Sequence, residues 1–245
     1  MDQQPNNQAP APKERFAFRN LMTRREKIAG WIWLPVHVVA LPLFLPLLMY
    51  LLNGKQAVTD SVTLNIWYFL ISLVFLFIAQ FRFFRESYQV LRHNFRRAVI
   101  AMLIGWFMLA AGNVALQIIM DLFGGMPGSP NDEAVDELLH QDMRRMVAAA
   151  VIMAPIVEEA LFRGLIFGAI RGKSRVLAYA VSMVLFGLFH VWQYAVAGQS
   201  LAPLLSGFAY LPIAFVLAFC YDYSGSIWTP IFFHMFYNAV ALSMR

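Results

Sequence analysis

After a polar start, the chain settles into apolar stretches separated by short polar ones. Seven apolar runs can be marked, at 28–52, 62–81, 98–120, 146–170, 176–197, 201–221 and 225–244. Each is close to the ~20 residues that a helix needs to cross a bilayer. The pattern therefore predicts about seven transmembrane helices. One connection is long, at 121–145. It opens with GGMPGSPND, and Asn131 or Asp132 is placed to cap a helix through DEAVDELLHQDMRRM. An amphipathic helix at the outer surface is expected there, leading into the fourth run. Residues 1–12, MDQQPNNQAPAP, have no apolar periodicity and read as a disordered tail. They lack the parts of a signal peptide. Residues 13–27 are basic, through Lys13, Arg15, Arg19, Arg24, Arg25 and Lys27. With Phe16 and Phe18, they suggest a surface-lying segment. The organisation expected is a tail and basic juxtamembrane segment at 1–27, membrane helices and an acidic loop at 28–145, and a core at 146–245. No internal repeat is evident.

Composition agrees with this pattern. The 245 residues are 60% hydrophobic and 13% charged, against about a quarter charged in soluble domains. The fold class is all-α, a polytopic membrane helical bundle with surface amphipathic segments. The lone Cys220 excludes an internal disulfide and reads as a small apolar packing residue. The net charge of +5 reports orientation. Basic residues lie before the first run, in 82–97 (Arg82, Arg85, Arg92, Arg96 and Arg97 against Glu86) and in 171–175 (Arg171, Lys173 and Arg175). The alternate connections are not basic: 53–61 has Lys55 and Asp60, and 121–145 is acidic. The positive-inside rule then predicts a cytoplasmic N-terminus and an outer C-terminus; a multi-pass protein of a plasma membrane, of prokaryotic type, is expected. The basic loops determine topology and can contact anionic lipid; no nucleic-acid partner is implied.

The fourth run breaks the rule that charges stay outside. Its segment VIMAPIVEEALFRGLIFGAIRG, residues 151–172, carries Glu158, Glu159 and Arg163 at its middle. A central charged side chain costs about 2.5 to 3.5 kcal/mol on insertion scales, so such residues face the protein interior and have a task. Glu159 and Arg163 stand four apart in the favourable order for an ion pair. Glu158 points about 100° away from Glu159. Ala160, Gly164, Gly168 and Gly172 form a four-residue ladder of the kind that lets membrane helices approach. Pro155, one turn before Glu158, removes a backbone hydrogen bond and favours a local bend.

Histidines fall within three runs, as His37, His190 and His234. FGLFH sets Phe186 and His190 on one helix face, and HMFYN does the same for His234 and Asn238. In the predicted topology Glu158, His190, His234 and Asn238 all lie near mid-depth, so they can share one buried cavity. The set permits hydrolysis in two ways. A carboxylate there can take a proton from water, an imidazole can relay it, and His234 and Asn238 can donate to the oxyanion of an attacked amide. Alternatively Glu158, His190 and His234 can hold one zinc ion, which acidifies its water.

Three motifs carry a family resemblance: EEALFR fits EExxxR, FGLFH fits FxxxH and HMFYN fits HxxxN, in that order and on separate predicted helices. Over 146–244 the chain resembles the CAAX protease and bacteriocin-processing (CPBP, or Abi) family of intramembrane proteases. The resemblance implies an all-helical membrane fold, cleavage of peptide bonds and a membrane-anchored, prenylated or exported peptide substrate. It implies that Glu158 activates water with His190 as partner, that His234 and Asn238 stabilise the oxyanion, and that Glu159 and Arg163 brace the site or bind substrate. Both metal-dependent and glutamic mechanisms have been described for the family. The glutamic one suits Asn238 better, since an amide serves an oxyanion more readily than a metal. Residues 1–120 carry no motif of the family.

Plainer readings stand beside these. Glu159–Arg163 is most simply a structural pair, and Phe186 a packing residue. His37, in WIWLPVH, reads as a packing or interfacial residue, and Asn113 and Gln117 as polar contacts between helices. The competing function is non-enzymatic, either a bacteriocin-immunity scaffold or a proton-coupled transporter. Against transport stands the absence of inverted repeats or paired broken helices.

Overall fold

The computed structural model describes residues 18–54 and 60–244. The expected tail at 1–12 lies outside the described residues, as do Lys13, Arg15 and Phe16 of the basic segment and Lys55 of the first connection. Within them the chain is helical throughout: α1 (Arg24–Asn53), α2 (Ser61–Ala79), α3 (Phe81–His93), α4 (Phe95–Asp121), α5 (Pro130–Gln141), α6 (143–171), α7 (Arg175–Ala197), α8 (Ala202–Ser224) and α9 (Trp228–Ser243). Five of these, α1, α2, α4, α7 and α8, are long and apolar enough to cross a membrane. The other two apolar runs are α6, which carries the three central charges, and α9, which has only 16 residues. The helix α6 packs inside the bundle, whereas α9 buries one face and leaves Phe232 and Phe236 exposed. Every residue from 154 to 168 is buried, as expected of a helix that is apolar on all sides.

Local chemistry sets the helix ends. Thr23 and Glu26 form a capping box at α1. The second carboxylate oxygen of Glu26 accepts from Phe83 N at 2.8 Å, tying α1 to the start of α3. The basic stretch 82–97 is thus not an open loop. It is mostly the amphipathic helix α3, with Phe83, Phe84, Ser87 and Leu91 buried and its arginines on the other face. Charge counting alone reads such a helix as a connection. The α5 cap is Ser129 rather than Asn131 or Asp132, because Pro130 occupies the first helical position. The helix does not run on into α6. It stops at Asp142, whose extended backbone and side chain cap the next turn by accepting from Arg145 N at 3.0 Å.

Two helices widen into π turns, α1 at Val36–Ala40 just after Pro35, and α6 at Ala148–Met153 and Ala160–Phe167. Proline and π turns are the usual causes of an interrupted hydrogen-bond ladder. The expected small-residue ladder is tight in part: a Cβ at Gly164 would lie 2.8 Å from Met22 and 3.0 Å from Phe83, one at Gly168 would run into Asn20, and one at Gly172 would meet nothing within 4 Å. Helices α7 and α8 also approach closely, where a Cβ on Gly187 of α7 would lie 2.7 Å from the carbonyl oxygen of Gly207 in α8.

The bundle has two chemically distinct ends. At one, Asp222 pairs with Arg171 (2.6 Å) and Arg175 (2.8 Å), and Arg97 donates to Tyr223 O. At the other, Arg145 pairs with Asp142, and Tyr210 of α8 is bonded to Ser129 and Asn131 at the start of α5.

Candidate active site

A cavity of about 690 Å³ enters the bundle from the acidic end, and Glu158, His190, His234 and Asn238 all line it. The four residues expected to converge are therefore together. Glu158 Oε2 lies 3.8 Å from His190 Nε2 and 3.9 Å from His234 Nε2, and it has no hydrogen-bond partner among protein atoms. One water with ordinary hydrogen bonds of ~2.8 Å spans either gap.

Each histidine is oriented from behind. His190 donates from Nδ1 to Phe186 O at 2.8 Å, within its own helix. His234 Nδ1 faces Glu159 Oε1 at 2.9 Å. The same Glu159 oxygen accepts from Arg163 Nη1 at 3.0 Å, and Arg163 Nη2 donates to Ala214 O at 3.0 Å. With a buried guanidinium beside it, Glu159 is an acceptor, so His234 donates and keeps a lone pair on Nε2. Glu159 and Arg163 are thus more than a pair within one helix, since their shared oxygen reaches the α9 histidine. No spacing rule reveals that link, because it joins positions 75 residues apart.

The ring of Phe186 packs among these groups. It lies beneath the Arg163 guanidinium at 4.3 Å, tilted against His190 at 4.6 Å and edge-on to His234 at 5.9 Å. It is a packing residue, as expected, but what it packs against is the site. Tyr210 stacks on the open face of His190, with centroids 4.3 Å apart and planes 21° apart. The sequence gives no sign of this. Asn238 donates to Ala150 O at 2.8 Å, in the first π turn of α6, leaving its second N–H uncommitted.

His37 is fully buried rather than interfacial. It sits in the α1 π turn, bonded to Ser72 Oγ at 2.8 Å and the Tyr68 hydroxyl at 2.9 Å. Tyr68 in turn lines the cavity. The first 120 residues therefore contribute a wall of the site.

Three groups that hold lone pairs, one carboxylate and two Nε2 atoms, face one point without an opposing N–H from either histidine. The residue types are ones that bind zinc, but among the described residues no group of three His, Cys, Asp or Glu side chains is disposed to hold a metal ion. The set accepts the protons of a water.

Fold and site together define a polytopic α-helical membrane protein with a carboxylate–histidine centre buried within its bundle. Residues 141–240 match the family described as type II CAAX prenyl endopeptidase, Rce1-like, and that segment holds all three motifs of the CPBP resemblance. The chain is 30% identical over 150 residues to a Bacillus subtilis protein named "Putative membrane peptidase YdiL". That match covers 60% of this chain and 57% of the relative, so the chain spans a little over half of that relative's length. No solved structure gives a significant match.

Proposed function

We propose that the protein is an intramembrane endopeptidase in which Glu158 activates water to hydrolyse a peptide bond of a membrane-anchored, lipidated or exported peptide. The observation that carries this is the approach of Glu158 Oε2 to both Nε2 atoms, at 3.8 and 3.9 Å, inside one cavity. The match of 141–240 to a peptidase family and the name of the Bacillus subtilis relative support it.

The chemistry runs as follows. A water held between Glu158 and His190 gives one proton to the carboxylate as its oxygen bonds to the scissile carbonyl carbon. The oxyanion so formed takes a hydrogen bond from the free N–H of Asn238. A neutral His234 with its proton on Nδ1 has none to offer from Nε2. Held by Glu159 through Nδ1, it donates to the oxyanion from Nε2 only in its doubly protonated form. As the C–N bond breaks, Glu158 returns its proton to the leaving amine.

The test is cleavage of a membrane-anchored reporter by the purified protein. Glu158→Gln and His190→Ala should each lower kcat by about 10²-fold or more, the scale of a lost general base or its partner. Equal cleavage by both variants and the parent protein would refute the assignment. A strong chelator separates the mechanisms, since turnover by Glu158 alone is indifferent to it.

A further inference from the structure

The walls of the cavity are one-sided. Each helix that contributes to it does so from about its middle to the end nearer the α4–α6 connection. These are the C-terminal halves of α1, α7 and α9, the N-terminal halves of α2, α6 and α8, and the helix α5 itself. The mouth is polar, with Asn131, Asp132, Gln193, Tyr194 and Tyr210.

The opposite end is sealed. Phe18 lies edge-on to Tyr221 at 5.0 Å and to Phe167 at 5.8 Å. Arg171 covers the Phe18 ring at 5.5 Å and is locked to Asp222. Fully buried Phe83, Arg163 and Phe167 fill the space between that floor and Glu158.

The ends also differ in charge. The sealed end carries the first turn of α1, the five arginines of 82–97, and Arg171, Lys173 and Arg175. The open end carries Asp132, Glu133, Asp136 and Glu137. Its basic residues are Arg144 and Arg145, and Arg145 is paired with Asp142 and Asp60. A basic excess in short loops marks the cytoplasmic side.

We infer that the catalytic cavity opens to the non-cytoplasmic face, and that the substrate is a peptide segment lying outside the cytoplasm. This rests on the peptidase reading of Glu158. A lipidated protein held on the cytoplasmic face would meet the sealed floor. An exported peptide, or the outer juxtamembrane segment of an anchored protein, meets the mouth.

Cysteine labelling tests the inference without using catalysis. Cys220, the one cysteine, is buried and stays silent. Gln193→Cys, at the mouth, should react with a membrane-impermeant thiol reagent in intact cells. Lys173→Cys, at the basic end, should react only after permeabilisation. The reverse pattern, or labelling of both from one side, overturns the inference. A second arm uses reporters whose cleavable segment lies on one or the other side of a membrane anchor. Cleavage is expected only for the outer segment, and cleavage of the cytoplasmic one alone overturns the inference. The outer segment released without its anchor then separates an exported peptide from an anchored one. If Glu158→Gln abolishes cleavage while the mouth labels from inside, the peptidase reading stands and the orientation falls.

Discussion

Glu159 serves two neighbours with one oxygen, and removing it separates stability from chemistry. Glu159→Ala leaves Arg163 buried and unpaired, which costs about 3–5 kcal/mol; thermal unfolding in detergent should show it as a large fall in Tm. The double variant Glu159→Gln/Arg163→Met removes both charges from the interior, and such replacements are often neutral or stabilising. It should regain most of the Tm. It should not regain full kcat, because a neutral amide no longer fixes the orientation and tautomer of His234 as the carboxylate does. Recovery of both would make the pair purely structural. Of this constellation the sequence displays the members but not the links. Central charges in an apolar run, and His and Asn four apart, are legible because membrane insertion penalises them. The Glu159–His234 contact and the Tyr210 stack on His190 depend on how separate helices are rotated, which no local pattern encodes.

Helices were read more completely than their faults. Hydropathy finds a span wherever about twenty apolar residues follow one another, and it located every long helix. It cannot see α3, whose arginines mask a buried face, nor the π turns, which redirect side chains without changing composition. The small-residue ladder of α6 is tight at Gly164 and Gly168 and open only at Gly172. The glycine that sets the approach of α7 to α8 is Gly187, against the Gly207 carbonyl. Gly187→Ala must push α7 and α8 apart, and overpacking of this kind costs about 1–3 kcal/mol. His190 lies one turn beyond on α7 and Tyr210 one turn beyond on α8, so kcat should fall along with Tm. Gly172→Ala, in open space, should leave both unchanged. The comparison of the two alanine variants by unfolding and reporter cleavage decides which glycine contact matters.

At the scale of the molecule, the segment that carries the family motifs is not a complete site. Leu41, Pro42 and Leu45 of α1 and Asn65 and Tyr68 of α2 wall the same cavity as Glu158. The α4–α8 contact also joins the two parts of the chain, with Gly105 against Val216 and Cys220. In a membrane such contacts form between helices that are already inserted, so a covalent link between them is dispensable. The connection after α4 is the place to cut. It turns through Gly124 and Gly125, with φ of +100° and +99°, and no span crosses there. Co-expressed fragments 1–124 and 125–245 should copurify and cleave the reporter, with kcat within about tenfold of the intact chain. Fragment 125–245 alone, with all three motifs but no α1–α2 wall, should be inactive even where it inserts. Activity in that fragment alone would mean that the first four helices merely anchor the protein. Activity that requires both fragments would mean that they build the chamber in which Glu158 works.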